Sequence, residues 1–120
     1  MSNYLFDTYA LMEILDENIN YETYTNLKPI INDFIFAEFC YNLFKDNTNN
    51  AKELIDEIKP AIAHADPEWI EEAMKLRFSL GKRNVSMTDC IGYVMAKKLG
   101  IKFLTGDKEF QNFDNVEFVK

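Results

Sequence analysis

Short apolar runs alternate along this chain with longer stretches of helical spacing. Residues 4–6 (Tyr-Leu-Phe) read as a buried strand, and Asp7 and Thr8 follow it directly. Tyr9, Met12 and Leu15, with Leu11 beside them, then keep helical spacing to about Asp16. Residues 16–28 are polar and predict at most a helical turn. Pro29, Ile30 and Ile31 predict a second strand, since proline is tolerated at a strand's first residue. Asn32 or Asp33 can cap the next helix, which carries Phe36, Ala37, Phe39, Cys40, Leu43 and Phe44. That helix is apolar nearly all round for two turns, which predicts burial, yet Glu38 lies in its middle.

Residues 46–50 form a loop, and residues 51–62 a helix with Leu54, Ile55 and Ile58 on one face, ended or kinked by Pro60. Residues 61–65 have the pattern of a short edge strand. Asp66 and Pro67 open the next helix, acid at the cap and proline at the first helical position. Trp69, Ala73, Leu76 and Leu80 give it a buried stripe, and Gly81 ends it. Residues 86–99 predict a helix stopped by Gly100, residues 102–105 a strand, residues 108–113 a short helix and residues 116–119 a last strand. Strands alternating with helices imply an α/β layer fold, a mainly parallel sheet of four or five strands flanked by helices. One domain spans residues 1–120, because 120 residues leave no room for a second core. Ligands in such folds bind beyond the carboxyl ends of the strands, where Asp7 and Asp107 both fall.

Composition narrows the class. A hydrophobic fraction of 48% and a charged fraction of 28%, with three prolines and four glycines, belong to a globular domain rather than a disordered chain. Cys40 and Cys90 are too few and too far apart for a zinc ribbon or a CxxC redox motif, and read as buried thiols suited to a reducing cytosol. The N-terminal MSNYLFD has no basic region followed by an apolar run, and no stretch approaches the roughly 18 consecutive apolar residues that span a bilayer. The expectation is a soluble, cytoplasmic protein with no membrane partner.

A formal charge of −7 argues against a broad basic surface for nucleic acid. It does not exclude catalysis on nucleic acid, because acids gathered around divalent cations present a locally positive site once loaded. His64 is the one histidine, so any mechanism needing two within the chain is excluded. Its neighbours Ala63, Ala65 and Asp66 make no ligand pattern and place it at the surface or at a strand edge.

Four acids stand at the margins of the apolar segments. Asp7 and Asp107 follow strands, Asp89 lies one turn into the helix over residues 86–99, and Glu38 sits inside an apolar helix. Each aspartate also has a local reading: Asp7 and Asp107 can cap the helices after them, and Ser86-x-x-Asp89 resembles a capping box. Glu38 has no such local partner, and an unpaired ionised carboxylate in an apolar helix is strongly destabilising. A single metal site accounts for all four. Oxygen ligands without histidine or cysteine favour Mg²⁺ or Mn²⁺ over zinc. Such ions bind substrate phosphate, acidify water and neutralise developing charge, which points to phosphodiester chemistry.

These segments resemble the PIN-domain nucleases, in particular the compact VapC-type toxins of toxin–antitoxin pairs, over nearly the whole chain. YLFDTYALMEIL resembles the first family motif, FIFAEFCYNLF the second with its helix-borne glutamate, VSMTDCIGYVMAKKLG the third and IKFLTGDKEF the fourth. By that resemblance Asp7, Glu38, Asp89 and Asp107 fall on the acidic metal-site positions and act in catalysis. Thr105 falls on the fourth motif's hydroxyl position, and Thr8 is a neighbouring hydroxyl donor to the ligands. The resemblance implies a single PIN-like domain that hydrolyses RNA with Mg²⁺ or Mn²⁺ as cofactor, leaving a 5′-phosphate and a 3′-hydroxyl. It also implies a homodimer, and an antitoxin partner whose segment crosses the active-site groove.

Glu109 departs from the aspartate that many relatives carry after the fourth motif. With Arg77 and Arg83 as the two arginines, RNA contacts would fall to lysines such as Lys82, Lys97, Lys98 and Lys108, each of which also fits a solvated face. The competing reading is a PIN-like scaffold that binds protein or RNA without cleaving it, although a scaffold has no need of four intact acids. A receiver domain would want an acidic pair beside the first strand and a dehalogenase-type phosphatase a D-x-D there; Asp7-Thr8-Tyr9 meets neither.

Overall fold

The computed structural model describes residues 4–120; residues 1–3, part of the expected domain span and of the N-terminal stretch without a targeting signal, lie outside the described residues. Three strands, β1 (Tyr4–Phe6), β2 (Lys102–Thr105) and β3 (Val116–Phe118), pair in parallel in the order β1-β2-β3. Two more segments extend the sheet beyond β1 by one parallel bridge each, Leu5 with Ile30 and Ile31 with Ile62. The expected four or five strands are therefore three regular strands and two single-bridge segments among the described residues. The cause is local. Pro29 has no N–H to donate, and Asn32 turns away to cap the next helix, which leaves two residues between them to pair. Their bonds are Phe6 N–H to Ile30 O (2.9 Å), Ile31 N–H to Ala61 O (3.0 Å) and Ala63 N–H to Ile31 O (2.8 Å).

Five α-helices surround the sheet: α1 (Thr8–Leu15), α2 (Asp33–Lys45), α3 (Ala51–Ile58), α4 (Pro67–Ser79) and α5 (Met87–Lys98). Their starts follow the sequence signals. Asn32 Oδ1 accepts from Ile35 N–H at 2.8 Å, and Asp66 Oδ1 from Glu68 N–H at 2.9 Å. α3 gives way at Pro60 to a 3-10 turn, Lys59–Ala61, and α5 stops before Gly100, whose φ of 71° suits a residue without Cβ. The polar segment holds a 3-10 helix, Ile19–Tyr24, and the short helix expected over residues 108–113 is a 3-10 turn, Lys108–Phe110.

Neighbouring residues of a strand face opposite sides, yet Leu5, Phe6, Phe103 and Leu104 are all buried, so both faces of the sheet are covered. α1 and α5 pack on β1 and β2, and α4 lies along α5. Residues 90–96 of α5 are buried without a break. Gly92 permits this close seating: a Cβ there would lie 2.8 Å from Phe103 Cε1. Tyr93, Phe103, Phe110 and Phe113 interlock beneath the helix, with Phe103 and Phe110 edge to face at 5.4 Å. Such ring pairs add roughly 0.5–1.5 kcal/mol beyond the area they bury.

Two helices are less buried than their composition predicts. Ile35, Phe39 and Leu43 turn α2 toward the core, whereas Phe34, Tyr41 and Phe44 are 38%, 65% and 66% exposed. A helical period of 3.6 splits an apolar segment into two faces, and the core takes one. In α4 the expected stripe is buried at Ala73 alone, with Trp69, Leu76 and Leu80 half-buried. Cys90 is buried and Cys40 half-buried. His64 is exposed, its Nδ1 3.0 Å from Asp33 Oδ2. Among the described residues no helix is long and apolar enough to cross a membrane.

Candidate functional site

Because β1 and β2 run parallel with Phe6 paired to Leu104, the next residues, Asp7 and Thr105, stand level at the carboxyl edge of the sheet. Asp7 N–H continues the ladder to Leu104 O at 3.0 Å. The Thr105 hydroxyl donates to Asp7 Oδ2 at 2.7 Å and accepts from Asp107 N–H at 3.1 Å. On the other side, Thr8 N–H donates to Asp7 Oδ1 at 2.8 Å while the Thr8 hydroxyl donates to Glu38 Oε1 at 2.7 Å. One hydrogen-bonded chain thus runs from Glu38 on α2 through Thr8, Asp7 and Thr105 to the backbone of Asp107.

Asp107 Oδ1 accepts from Glu109 N–H at 3.0 Å, which caps the 3-10 turn. Asp89 and Ser86 form a reciprocal capping box, Asp89 N–H to Ser86 Oγ at 3.0 Å and Ser86 N–H to Asp89 Oδ2 at 3.1 Å. All three aspartates therefore cap, and the four acids also share one electrostatic neighbourhood. Asp7 is 3% exposed. Burial, then the charge of Asp89 and more weakly that of Glu38, raise its pKa to about 8 against the opposing bonds from Thr105 and Thr8. Burial likewise raises Asp89, opposed by the Ser86 bonds and reinforced by Asp107 and Glu38.

Among the described residues the ion pairs go to Asp56, Asp33, Glu109, Asp114 and Glu72, and none to Asp7, Glu38, Asp89 or Asp107, although Lys120 Nζ lies nearby on Gly106 O at 3.3 Å. Among the described residues no three acidic, histidine or cysteine side chains are already set at coordination geometry. Ser86→Ala should cost about 1 kcal/mol by loss of the cap. Urea unfolding checks this, and an unchanged midpoint would show the box to be dispensable.

The sequence matches the PIN domain family over residues 4–116. The chain belongs to the PIN-domain family. Solved structures with the same fold include the Mycobacterium tuberculosis toxin VapC20, described as cleaving the sarcin–ricin loop, at TM-score 0.78 and 16% identity, covering 98% of this chain and 99% of that one. A toxin–antitoxin complex from Klebsiella pneumoniae aligns at TM-score 0.74 and 16% identity over 95% of both chains. VapBC-1 from nontypeable Haemophilus influenzae aligns at TM-score 0.69 and 21% identity over 96% of this chain and 95% of that one. A search of curated proteins found no match.

In this PIN domain three features at the site were not singled out in the sequence. Gly106 lies under the Tyr9 ring and against Val119 O, where a Cβ would be 2.3 Å from each. A glycine between a strand-end hydroxyl and an acid was the available signal. Arg83 Nε donates to Glu109 Oε1 at 3.0 Å, so the carboxylate of Glu109 is engaged by a cation of its own. Tyr9 and Glu13 border the acids, with Asp107 and Glu13 both contributing to a raised Tyr9 pKa behind the effect of burial. Of the candidate lysines, Lys97 pairs with Asp114 at 3.2 Å and Lys98 with Glu72 at 3.0 Å, while Lys82 and Lys108 are exposed.

Proposed function

We propose that this PIN domain is a divalent-metal-dependent endoribonuclease of the VapC toxin type, in which Asp7, Glu38, Asp89 and Asp107 hold Mg²⁺ or Mn²⁺ and Thr8 and Thr105 orient them. The observation that carries the reading is the gathering of four carboxylates at the carboxyl edge of a parallel sheet with no cation paired to any of them among the described residues. The donors are all oxygens. Mg²⁺ and its like keep several waters and take one or two carboxylates directly, so an open acidic cluster suits them better than a closed protein cage would. When bound, such an ion neutralises phosphate charge and acidifies water.

The chain's own part is to hold the acids in a fixed relation. Thr8 joins Asp7 to Glu38 and Thr105 joins Asp7 to Asp107, and the Thr105 hydroxyl and the Thr8 N–H both favour the ionised form of Asp7. RNA is the proposed substrate, the cytoplasm the proposed compartment, and an antitoxin chain and a second copy the proposed partners. Similarity to a sarcin–ricin loop cleaving toxin and to a toxin–antitoxin complex supports this. So do Phe34, Tyr41 and Phe44, which give α2 an apolar outer face for a partner chain to cover.

The test is isothermal titration of Mn²⁺ into the protein and its Asp89→Asn variant, with RNA cleavage assayed on the same samples. The expected result is binding and cleavage in the parent, with cleavage down about 100-fold or more in the variant and Mn²⁺ affinity clearly weakened. If the parent binds no Mn²⁺ with RNA present or absent, the acids are a scaffold's caps and the nuclease reading falls.

A further inference from the structure

We infer that Arg83 is a positioning residue of this site, tying the turn that carries Asp107 to the loop that leads into Asp89 and so setting the distance between these two acids. The inference rests on the metal-site reading proposed above. Thr8 and Thr105 already link Glu38, Asp7 and Asp107 through hydrogen bonds. Asp89 stands outside that chain, since its side chain bonds to Ser86 alone among the described residues. Arg83 supplies the missing connection.

Its Nε donates to Glu109 Oε1 at 3.0 Å and its terminal nitrogen donates to the Glu109 backbone carbonyl. The guanidinium lies over the Phe113 ring at 5.2 Å. Glu109 in turn donates its N–H to Asp107 Oδ1 at 3.0 Å. On the near side, Arg83 O accepts from Val85 N–H at 2.9 Å, and the next residue is Ser86, the capping partner of Asp89. Every step from Asp107 to Asp89 is then a hydrogen bond or a peptide link.

The chemistry calls for arginine. One planar fork addresses a side-chain oxygen and a backbone oxygen together while its face stacks on a ring, which a lysine ammonium cannot do. The pair is also partly open to water, with Arg83 44% and Glu109 23% exposed, so it adds little to overall stability as an ion pair. Its effect lies in geometry, and misplacing a ligand by about 1 Å is enough to slow a reaction that depends on alignment.

The test compares Arg83→Ala, Arg83→Lys, Glu109→Ala and the Arg83→Ala/Glu109→Ala double variant. Arg83→Ala is expected to lower kcat for RNA cleavage about ten-fold with KM for RNA unchanged and to raise the Mn²⁺ concentration required. Lysine should restore part of the loss, and the double variant should be no worse than Arg83→Ala alone. Amide hydrogen exchange, which needs neither metal nor activity, should quicken about ten-fold or more at both Ser86 and Glu109 in Arg83→Ala while the buried amides of α5 stay unchanged. A raised KM with additive losses would make Arg83 an RNA contact and overturn the inference, as would unchanged exchange at either amide. Should the parent neither bind Mn²⁺ nor cleave RNA, the nuclease reading fails, and Arg83 is then no positioning residue even where exchange shows the brace.

Discussion

Asp7→Asn is expected to lower RNA cleavage by about 10³-fold or more, roughly 4 kcal/mol of transition-state stabilisation, while the protein keeps its fold. With its pKa raised to about 8, Asp7 in the metal-free protein is largely neutral at pH 7, and asparagine matches both its shape and that charge. Thr8 N–H keeps its acceptor at Oδ1, and only the Thr105 hydroxyl must turn. What disappears is one of the four carboxylates proposed to hold the divalent cation. Single-turnover cleavage and thermal unfolding of the same samples check this; a variant that fails to fold would favour capping as the role of Asp7.

A pH signature accompanies the substitution. Asp7 titrates higher in the folded chain than at its ordinary value of 3.8, so the folded state holds a proton that the unfolded state has released. Stability of the metal-free parent therefore falls as pH rises from about 4 to about 8, and the full cost is present above about 8. The expected fall in Tm is on the order of 10 °C between pH 5 and 8. Asparagine should flatten it, leaving a residual slope from Asp89, which is raised for the same reason. Saturating Mn²⁺ should offset the fall in the parent, since binding to the folded state stabilises it.

Gly106→Ala is expected to destabilise the protein by more than about 3 kcal/mol, at the upper end of overpacking effects. The added Cβ would lie 2.3 Å from Tyr9 Cε1 and 2.3 Å from Val119 O. The Val119 backbone does not yield freely. Val119 N–H donates to Thr105 O at 3.0 Å, and Val119 O accepts from the Tyr21 hydroxyl at 2.6 Å. Relief must then shift the residues on either side of Gly106, which are Thr105 and Asp107, so cleavage should fall with stability. Urea unfolding gives the stability change, and a parent-like midpoint would show that the neighbours accommodate the methyl group.

The acids were legible because each stood out against its surroundings. Glu38 broke an apolar helix, and Asp7 and Asp107 followed strands whose parallel pairing carries both to one edge. Thr8 could be named from adjacency to Asp7 and Thr105 from the resemblance of the fourth motif, but the direction of their bonds needed the register of β1 on β2. Other features were beyond the pattern. An apolar helix reads the same whether one face or both are covered, so the open side of α2, with Tyr41 and Phe44, appears only once its neighbours are placed. Residues 30–31 read as a strand, and the flanking Pro29 and Asn32 reduced it to two bridges. The Arg83–Glu109 pair spans 26 positions between two surface segments, and no periodicity marks it.

β1 and β2 are sheet neighbours although Asp7 and Thr105 are 98 positions apart. A ribosome delivers the first of them early and the second close to the end of residues 4–120. Until Thr105 has emerged, a nascent chain can hold all five helices and still have β1 without β2, Asp7 without the Thr105 hydroxyl and Asp107 not yet made. Under the ribonuclease function proposed above, the site is in this way completed only after nearly all of residues 4–120 have been made, and a chain abandoned midway lacks it.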